Sequence, residues 1–573
     1  APRPVESLAA LAARAALRIA SRDASGAVEL LTPAIQRARE VGLRPLLADL
    51  LSLRGVARRI AGDGSGAITD FQAAIDVAEQ IRALLQADRL RSAAMGERSD
   101  LYAQCVDALL ERAASPQADQ ARAASDRALA FEVADRAKAR SLLDLLQGGH
   151  ELAEQLAAAD ARQTDAPEAA MLRELSQRRA EMNAIYAALF APYDRRLGVQ
   201  TQLRLAARLD EHEVHVAEIE RRLASARRLS HLSATVVTLE DVRRSLRPGE
   251  ALVEYFGAAG SLGAAVITHD RLHVERHLGS MDDLVDLGER LSMAIDRQVI
   301  SHARGQERAP VAPSSNHAER TLKRLHQLAL APLGTALQGV ESLIVVPHGP
   351  LHAMPLHAAL GPAGHLIEQL AVEYAPSAAY IAHARGTSRV ESGASARSRG
   401  HAVVVGVPDA IAPEMGQEAQ AVAQVIPGAR LLVGEHATFD AFAEASRGAS
   451  HIHLACHGVF ASRNPMQARL RFSDRWVTVR DLVPLDLGGC VVVLSGCDTG
   501  RAGVDRGDEA YGLGRALLVA GASATVLSLW PVHDRTTRDL MISMYQRLVP
   551  GYLSGSKSGG GVAGTPGPGR CPG

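Results

Sequence analysis

SHIHLACHG (residues 450–458) and VVVLSGCDTG (residues 491–500) are the two segments that decide the fold of this chain. Each contains a short run of apolar, mostly aliphatic residues that is followed by a Gly next to a reactive side chain, His457-Gly458 in the first and Gly496-Cys497 in the second. Such runs are typical of buried strands in a parallel sheet. Because functional side chains collect at the carboxyl edge of a parallel sheet, we expect His457 and Cys497 to lie close together.

A thiol and an imidazole at one sheet edge can perform nucleophilic catalysis. A free cysteine titrates near about 8.5, so an imidazole base would raise the thiolate fraction of Cys497 and could then protonate a leaving amine. Gly458 lacks a Cβ atom, and its N–H with that of Cys497 could form an oxyanion hole. Cysteine is also among the most buried residue types, so packing alone is an alternative interpretation of Cys497 and His457.

The order strand, His-Gly, strand, Gly-Cys resembles the caspase-like cysteine peptidases, which include caspases, separases and gingipains. The residues of these motifs are most similar to those of the CHAT domain, a caspase-like domain often found C-terminal to TPR repeats. The segments that carry this resemblance are 345–356, 451–458, 493–500, 507–516, 520–522 and 528–532.

The resemblance implies a cysteine endopeptidase that cleaves a specific protein partner without a cofactor or metal. His457 would be the general base and acid, and Cys497 the nucleophile. The relatives act on gasdermin-like or CRISPR-linked targets, which implies a bacterial defence or regulated-death setting. Two rival functions stay open: a catalytically inactive adaptor and a hydrolase of small esters.

The resemblance also implies where a substrate would bind. In caspases a Ser-x-Trp segment pairs with the substrate backbone as an added strand, so Ser528 and Trp530 are candidate substrate-binding residues. Asp498 and Asp534 are candidates for contacting a basic side chain of the substrate.

Composition excludes several classes of partner. The 63 basic and 64 acidic residues nearly cancel, and aromatic residues make up 3%, so we expect neither nucleic acid nor membrane as a direct partner. Five cysteines without a CxxC pair favour a reducing, cytoplasmic location. The longest apolar run, 516–530, is shorter than the roughly 20 residues of a membrane span.

The first part of the chain has a helical pattern with a repeat. Asp23-Ala-Ser-Gly26 recurs as Asp63-Gly-Ser-Gly66, which predicts TPR-like helix pairs with a surface for a regulatory partner. A generic helical bundle is the alternative. Near residue 233 the pattern changes to alternating strands and helices, so the predicted fold class is α followed by a caspase-like α/β domain with a mainly parallel sheet.

The predicted organisation has six parts. They are TPR-like repeats (1–149), a helical spacer (150–232), a non-catalytic half (233–385), a linker (386–400), a catalytic half (401–548) and a disordered or non-native tail (549–573).

A zinc site is the competing interpretation of the histidines near residue 450. On a strand, His451, His453 and His457 share one face, whereas Cys456 points to the other. Four ligands would then not converge, so we expect no metal there, and we expect Cys456 and Cys490 to be core thiols.

Overall fold

The computed structural model describes residues 4–84, 99–138 without 117, 237–303 without 259, 315–391, 400–459 without 410 and 411, 468–496, 503–504, 510–530 and 534–554, with isolated positions between 170 and 219. Most of the predicted spacer and linker lie outside the described residues, as do Cys497 and Asp498.

The N-terminal part is built from helices packed side by side. The repeated Asp-x-x-Gly motif begins the second helix of a pair: the carboxylates of Asp23 and Asp63 accept the N–H groups of Gly26 and Gly66 at 2.9 and 2.8 Å. A side-chain acceptor at this position satisfies a backbone donor that the helix leaves unpaired. The helices are α1 (Pro4–Ala20), α2 (Ala24–Val41), α3 (Arg44–Ile60), α4 (Gly64–Leu84), α5 (Ser99–Ala113) and α6 (Gln120–Arg136).

Two of these helix pairs carry the same internal ion pair. Arg54 of α3 forms a two-point contact with Asp70 of α4, and Arg112 of α5 does so with Asp126 of α6. Both carboxylates are nearly buried, where a two-point Arg–carboxylate contact is most effective. The helices therefore repeat in pairs, while their assignment to the TPR type stays a prediction.

The α/β part begins with a mixed five-stranded sheet in the order β3-β2-β1-β4-β7. β1 pairs antiparallel with β2 and parallel with β4, which is parallel to β7. The elements are α7 (Leu239–Ser245), β1 (Glu250–Ala258), β2 (Ser261–Ile267), β3 (Leu272–Ser280), α8 (Met281–Ala303), α9 (Ser315–Ala329), β4 (Ser342–Val346), β5 (Leu360–Gly361), β6 (Gly364–His365), α10 (Leu366–Gln369), β7 (Ala371–Tyr374) and α11 (Ala378–Glu391), with three-residue to five-residue 3-10 turns at Ala331–Leu333, Gly349–Ala353 and Leu356–Ala358.

Both faces of this first sheet are covered. Leu252 and Ile344 belong to the same buried cluster as the N-terminal helices, whereas Val253 and Val345 pack on the other side with α8 and α9. The buried Nζ of Lys138, just after α6, donates to the carbonyl oxygens of Tyr255 and Pro347 at 2.5 and 2.6 Å. The helical part and the first sheet therefore share one core.

A second five-stranded sheet, β9-β8-β10-β14-β17, follows, and all its pairings are parallel. After β8 the chain adds β9 on one side and then returns to place β10 on the other. The elements are β8 (Ala402–Gly406), α12 (Glu414–Val425), β9 (Arg430–Val433), α13 (Phe439–Ser446), β10 (His451–Ala455), β11 (Gly458–Val459), β12 (Arg469–Arg471), β13 (Trp476–Thr478), α14 (Val479–Leu482), β14 (Val491–Leu494), β15 (Gly503–Val504), β16 (Ala510–Tyr511), α15 (Leu513–Val519), β17 (Ala524–Val526) and α16 (Asp534–Ser554), with a 3-10 turn at Gly434–His436.

The second sheet is also buried on both faces. Val404 and Val493 pack under α12 and α16, and Ile452 and Leu494 pack on the opposite face with α13, α14 and α15. Helices on both sides of parallel strands explain why these strands read as continuous apolar runs. The predicted fold class, a helical region followed by an α/β domain with a mainly parallel sheet, is confirmed. Among the described helices, none combines the length and apolar character that a bilayer crossing needs.

Candidate active site

His457 lies just beyond the carboxyl end of β10 and immediately before β11. Its Nε2 atom is 3.0 Å from Oδ2 of Asp409. An ionised carboxylate can only accept a hydrogen bond, so Nε2 is the imidazole nitrogen that donates to Asp409. The imidazole is 27% exposed and the carboxylate 46%, so the pair faces a surface that a substrate can reach.

Asp409 is held by its own loop. It follows β8, and its second oxygen, Oδ1, accepts the N–H of Ala412 at 2.9 Å. One carboxylate therefore fixes both the loop and the imidazole ring. Asp409 is not among the site residues predicted from the sequence, although its position three residues after a buried parallel strand is a signal for such a site.

The pair lies where the strand order of the second sheet reverses. Asp409 follows β8 and His457 follows β10, and these two strands are adjacent in the sheet. The chain continues from β8 to β9 on one side and from β10 to β14 and β17 on the other. Loops separate at such a switch point and leave a crevice beyond the carboxyl ends of the strands, which is where open α/β sheets bind ligands.

The strand that precedes Cys497 is the other neighbour of β10. Residue n of β10 faces residue n + 40 of β14, from His451 with Val491 to Leu454 with Leu494. The pairing extends one residue further, because Ser495 N–H donates to Leu454 O at 2.9 Å. His457 and Cys497 are also 40 positions apart in the sequence, but Cys497 itself lies outside the described residues.

Gly458 begins a small antiparallel sheet, β11-β12-β13. Arg471 N–H donates to His457 O at 2.8 Å, and Gly458 faces Leu470 one step further on. Hydrogen-bonded and non-bonded pairs alternate in an antiparallel ladder, so the Gly458 N–H points away from β12.

The predicted substrate-binding residues lie at the same sheet edge but further out. Ser528 and Trp530 follow β17, the outermost described strand, which lies two strands and roughly 10 Å from β10 at the usual strand spacing. Among the described strands, β17 lies at the edge of the second sheet, and its residue Val526 is 41% exposed. Asp498 lies outside the described residues; Asp534 begins α16, and its side chain is likewise outside them.

The described cysteines, Cys105, Cys456 and Cys490, are buried in cores. Cys456 and Cys490 belong to the cluster beneath α13, α14 and α15, and burial raises the pKa of each thiol to about 12. Cys105 is buried in the N-terminal helices, and burial raises the pKa of its thiol to about 12 as well. These thiols are protonated at neutral pH, so the prediction that Cys456 and Cys490 are core thiols is confirmed.

His453 is engaged elsewhere. Its Nε2 lies 2.9 Å from Oε1 of Glu418 on α12, both side chains are buried, and the ring of Tyr545 packs edge-on against the imidazole. His453 and Cys456 lie on opposite faces of the sheet, as the strand pattern predicts. Across the described residues, no group of three or more His, Cys, Asp or Glu side chains is arranged to hold a metal ion.

These observations define an α/β domain behind a helical region, with a carboxylate–imidazole pair at the switch point of a parallel sheet. Residues 319–556, from α9 to just past α16, match the family described as the CHAT domain, so this part of the chain is similar to that family. The CHAT part of the predicted resemblance is confirmed over these residues. No curated protein matches the chain.

Two solved structures, both of the separase–securin complex of Saccharomyces cerevisiae, are similar to the chain at low identity. One is 8% identical with a TM-score of 0.40, covering 94% of this chain and 50% of the matched chain. The other is 9% identical with a TM-score of 0.38, covering 91% and 52%. The chain therefore spans about half the length of the structures that it matches.

Proposed function

We propose that the chain is a cysteine endopeptidase that cleaves a specific protein partner, with Cys497 as nucleophile, His457 as general base and acid, and Asp409 as a positioning residue. The observation that carries this proposal is the Asp409–His457 contact at the switch point, beside the strand that leads to Cys497. The CHAT match supports it independently.

The contact supports a specific order of proton transfers. Because Asp409 holds the Nε2–H of His457, Nδ1 is the atom that accepts the proton of the Cys497 thiol. The thiolate then attacks the scissile carbonyl carbon, and His457 returns the proton to the nitrogen of the departing amine as the C–N bond breaks. A water molecule, deprotonated by the same Nδ1, hydrolyses the thioester and regenerates the thiol.

The charge on the tetrahedral intermediate requires hydrogen-bond donors. We assign this role to the backbone N–H groups of Gly458 and Cys497. The alternation of the β11–β12 ladder supports the first donor, because the Gly458 N–H points away from β12.

The substrate is proposed to bind as an added strand next to β17, with Ser528 and Trp530 contacting its backbone and side chains. The edge position of β17 among the described strands supports this mode, since an edge strand can offer unpaired backbone groups to a peptide. Asp498 and Asp534 stay predictions for contacts with a basic substrate side chain.

Regulation is proposed to act through the N-terminal helices. Asp135 at the end of α6 accepts the N–H of Ala378 at 2.7 Å, at the first residue of α11, and this helix leads towards the predicted linker and the second sheet. A partner on the helical surface would therefore act on a segment attached to the candidate site. By the resemblance, the setting is bacterial defence or regulated cell death, and the substrate is a gasdermin-like or CRISPR-linked protein.

The test combines substrate discovery with three variants. The wild-type chain, Cys497→Ala, His457→Ala and Cys490→Ala are each incubated with proteins encoded beside its gene, and new termini are mapped by mass spectrometry. We expect cleavage by the wild type and Cys490→Ala only. Equal effects of the wild type and Cys497→Ala on the partner would support the adaptor alternative, and labelling by acyl probes without protein cleavage would support the ester hydrolase.

A further inference from the structure

The small sheet that begins at Gly458 places an arginine directly beside His457. Arg471 donates its backbone N–H to His457 O at 2.8 Å, and the next pair along the ladder is Gly458 with Leu470. His457 is therefore opposite Arg471, one step beyond the last residue pair of β11 and β12. Directly opposite residues project from the same face of a sheet, with Cβ atoms about 5 Å apart.

An aromatic ring holds the side chain of Arg471 in place. Trp476 on β13 is the cross-strand partner of Arg471, and the guanidinium carbon lies 5.8 Å from the centre of the indole ring. A second guanidinium, that of the buried Arg469, lies 5.4 Å from the same ring. Contacts of this kind are attractive and fix the orientation of the cation. One face of the small sheet thus presents His457, Arg471 and Trp476 in a row.

Arg471 and its neighbour Arg475 carry the same charge but differ in their ion pairs. Arg475, in the turn between β12 and β13, is neutralised by Asp440 at 2.7 Å and Asp474 at 3.6 Å. In the part of the chain that the structure describes, no carboxylate lies within ion-pair distance of Arg471. A partly buried guanidinium beside a candidate catalytic imidazole is therefore positioned to bind a further carboxylate.

We propose that Arg471, oriented by Trp476, recognises an acidic side chain of the substrate next to the scissile bond. The inference rests on the proposed function, because the acidic group is assigned to the peptide that His457 would process. A guanidinium binds a carboxylate through two parallel N–H···O bonds, which discriminates Glu or Asp from the uncharged Gln or Asn.

The experiment is a peptide library randomised over the four positions around the cleavage site, followed by matched Glu and Gln peptides at the preferred position. We expect the wild type to favour the Glu peptide by roughly 10- to 100-fold in kcat/KM, the size expected for a charge-assisted hydrogen-bond pair. In Arg471→Gln the ratio of kcat/KM for the Glu peptide to kcat/KM for the Gln peptide should fall towards one. In Arg471→Glu the library should show a preference for a basic residue at that position.

Arg475→Gln is the matched control, since it removes an arginine of the same small sheet whose charge is already paired. Its Glu-to-Gln ratio should equal that of the wild type. Thermal unfolding of each variant separates a change in specificity from a loss of the folded sheet.

A parallel measurement keeps this inference distinguishable from the peptidase proposal. Binding of the Glu and Gln peptides to Cys497→Ala, by fluorescence polarisation, reports recognition without turnover. Preferential binding that Arg471→Gln abolishes would support the acidic subsite even if the wild type cleaves no peptide. Cleavage or binding that ignores the acidic residue, or a preference unchanged in Arg471→Gln, would overturn the subsite and leave the peptidase proposal intact.

Discussion

Asp409 and His457, which lie 48 positions apart in the sequence, meet at 3.0 Å between Oδ2 and Nε2. They come from the ends of two adjacent parallel strands, β8 and β10. The contact fixes which imidazole nitrogen is left to act as a base, and the first prediction follows from it.

Replacing Asp409 by Asn should slow turnover without weakening substrate binding. The imidazole could then adopt the other tautomer, with a proton on Nδ1, which cannot accept the thiol proton. We expect kcat to fall about 10²-fold and KM to change little. The measurement is steady-state cleavage of the mapped substrate, with Asp440→Asn as the exposed-carboxylate control. An unchanged kcat in Asp409→Asn would remove Asp409 from the mechanism.

Removing one partner of the buried pair of His453 and Glu418 should destabilise the second half. Both side chains are almost fully buried and lie 2.9 Å apart, so removing one leaves the other without its partner. We expect Glu418→Ala to lower the free energy of unfolding by about 3 kcal/mol. Urea denaturation of both single variants and of the double variant measures this. A double variant whose loss equals the sum of the two single losses would contradict coupling between the residues.

The thiol of Cys490 should make stability depend on alkaline pH. Burial, followed by the charge of Asp486, raises its pKa from 9.0 to about 12. Below about pH 9 the thiol is protonated in both states; between about 9 and 12 only the unfolded chain releases the proton. The free energy of unfolding should therefore fall as pH rises through this window, by up to about 1.4 kcal/mol per pH unit from this group.

The comparison of the wild type with Cys490→Ala isolates that effect. Urea midpoints at pH 7.5, 9 and 10 should converge for the two proteins as pH rises, because the variant lacks the thiol that titrates. If the urea midpoints of the two proteins change in parallel with pH, the Cys490 thiol does not titrate differently in the folded and unfolded states.

Asp107 should be the main polar link between the N-terminal helices and the first sheet. This buried carboxylate of α5 is bound by Arg59 of α3 and by Arg276 of β3, whose Nε donates at 2.8 Å. Asp107→Ala would remove the carboxylate that binds the partly buried guanidinium groups of Arg59 and Arg276. We therefore expect a loss of about 3 kcal/mol in the free energy of unfolding.

Hydrogen exchange of the helical part and of β3 provides the measurement. Faster exchange in both regions of Asp107→Ala is the expected result, and Asp286→Ala, an exposed acid on α8, should leave both unchanged. Faster exchange confined to α5 would contradict a linking role.

Local pattern predicted much of the fold because strands and helices depend on neighbours in sequence. The buried strands predicted before His457 and Cys497 are β10 (His451–Ala455) and β14 (Val491–Leu494). Local pattern is less informative where backbone pairing intervenes: Ala510–Tyr511 pairs with Gly503–Val504, and the helix that follows begins at Leu513.

The sequence by itself determined that two buried strands end in His457-Gly458 and Gly496-Cys497, because apolar runs and glycines are local signals. Only the tertiary structure decided that Asp409 binds His457 and that Arg471 lies opposite His457. The first contact joins residues 48 positions apart, and the second joins residues 14 positions apart on different strands or strand ends. They depend on strand order and register, which follow from the packing of the whole sheet and not from any short segment.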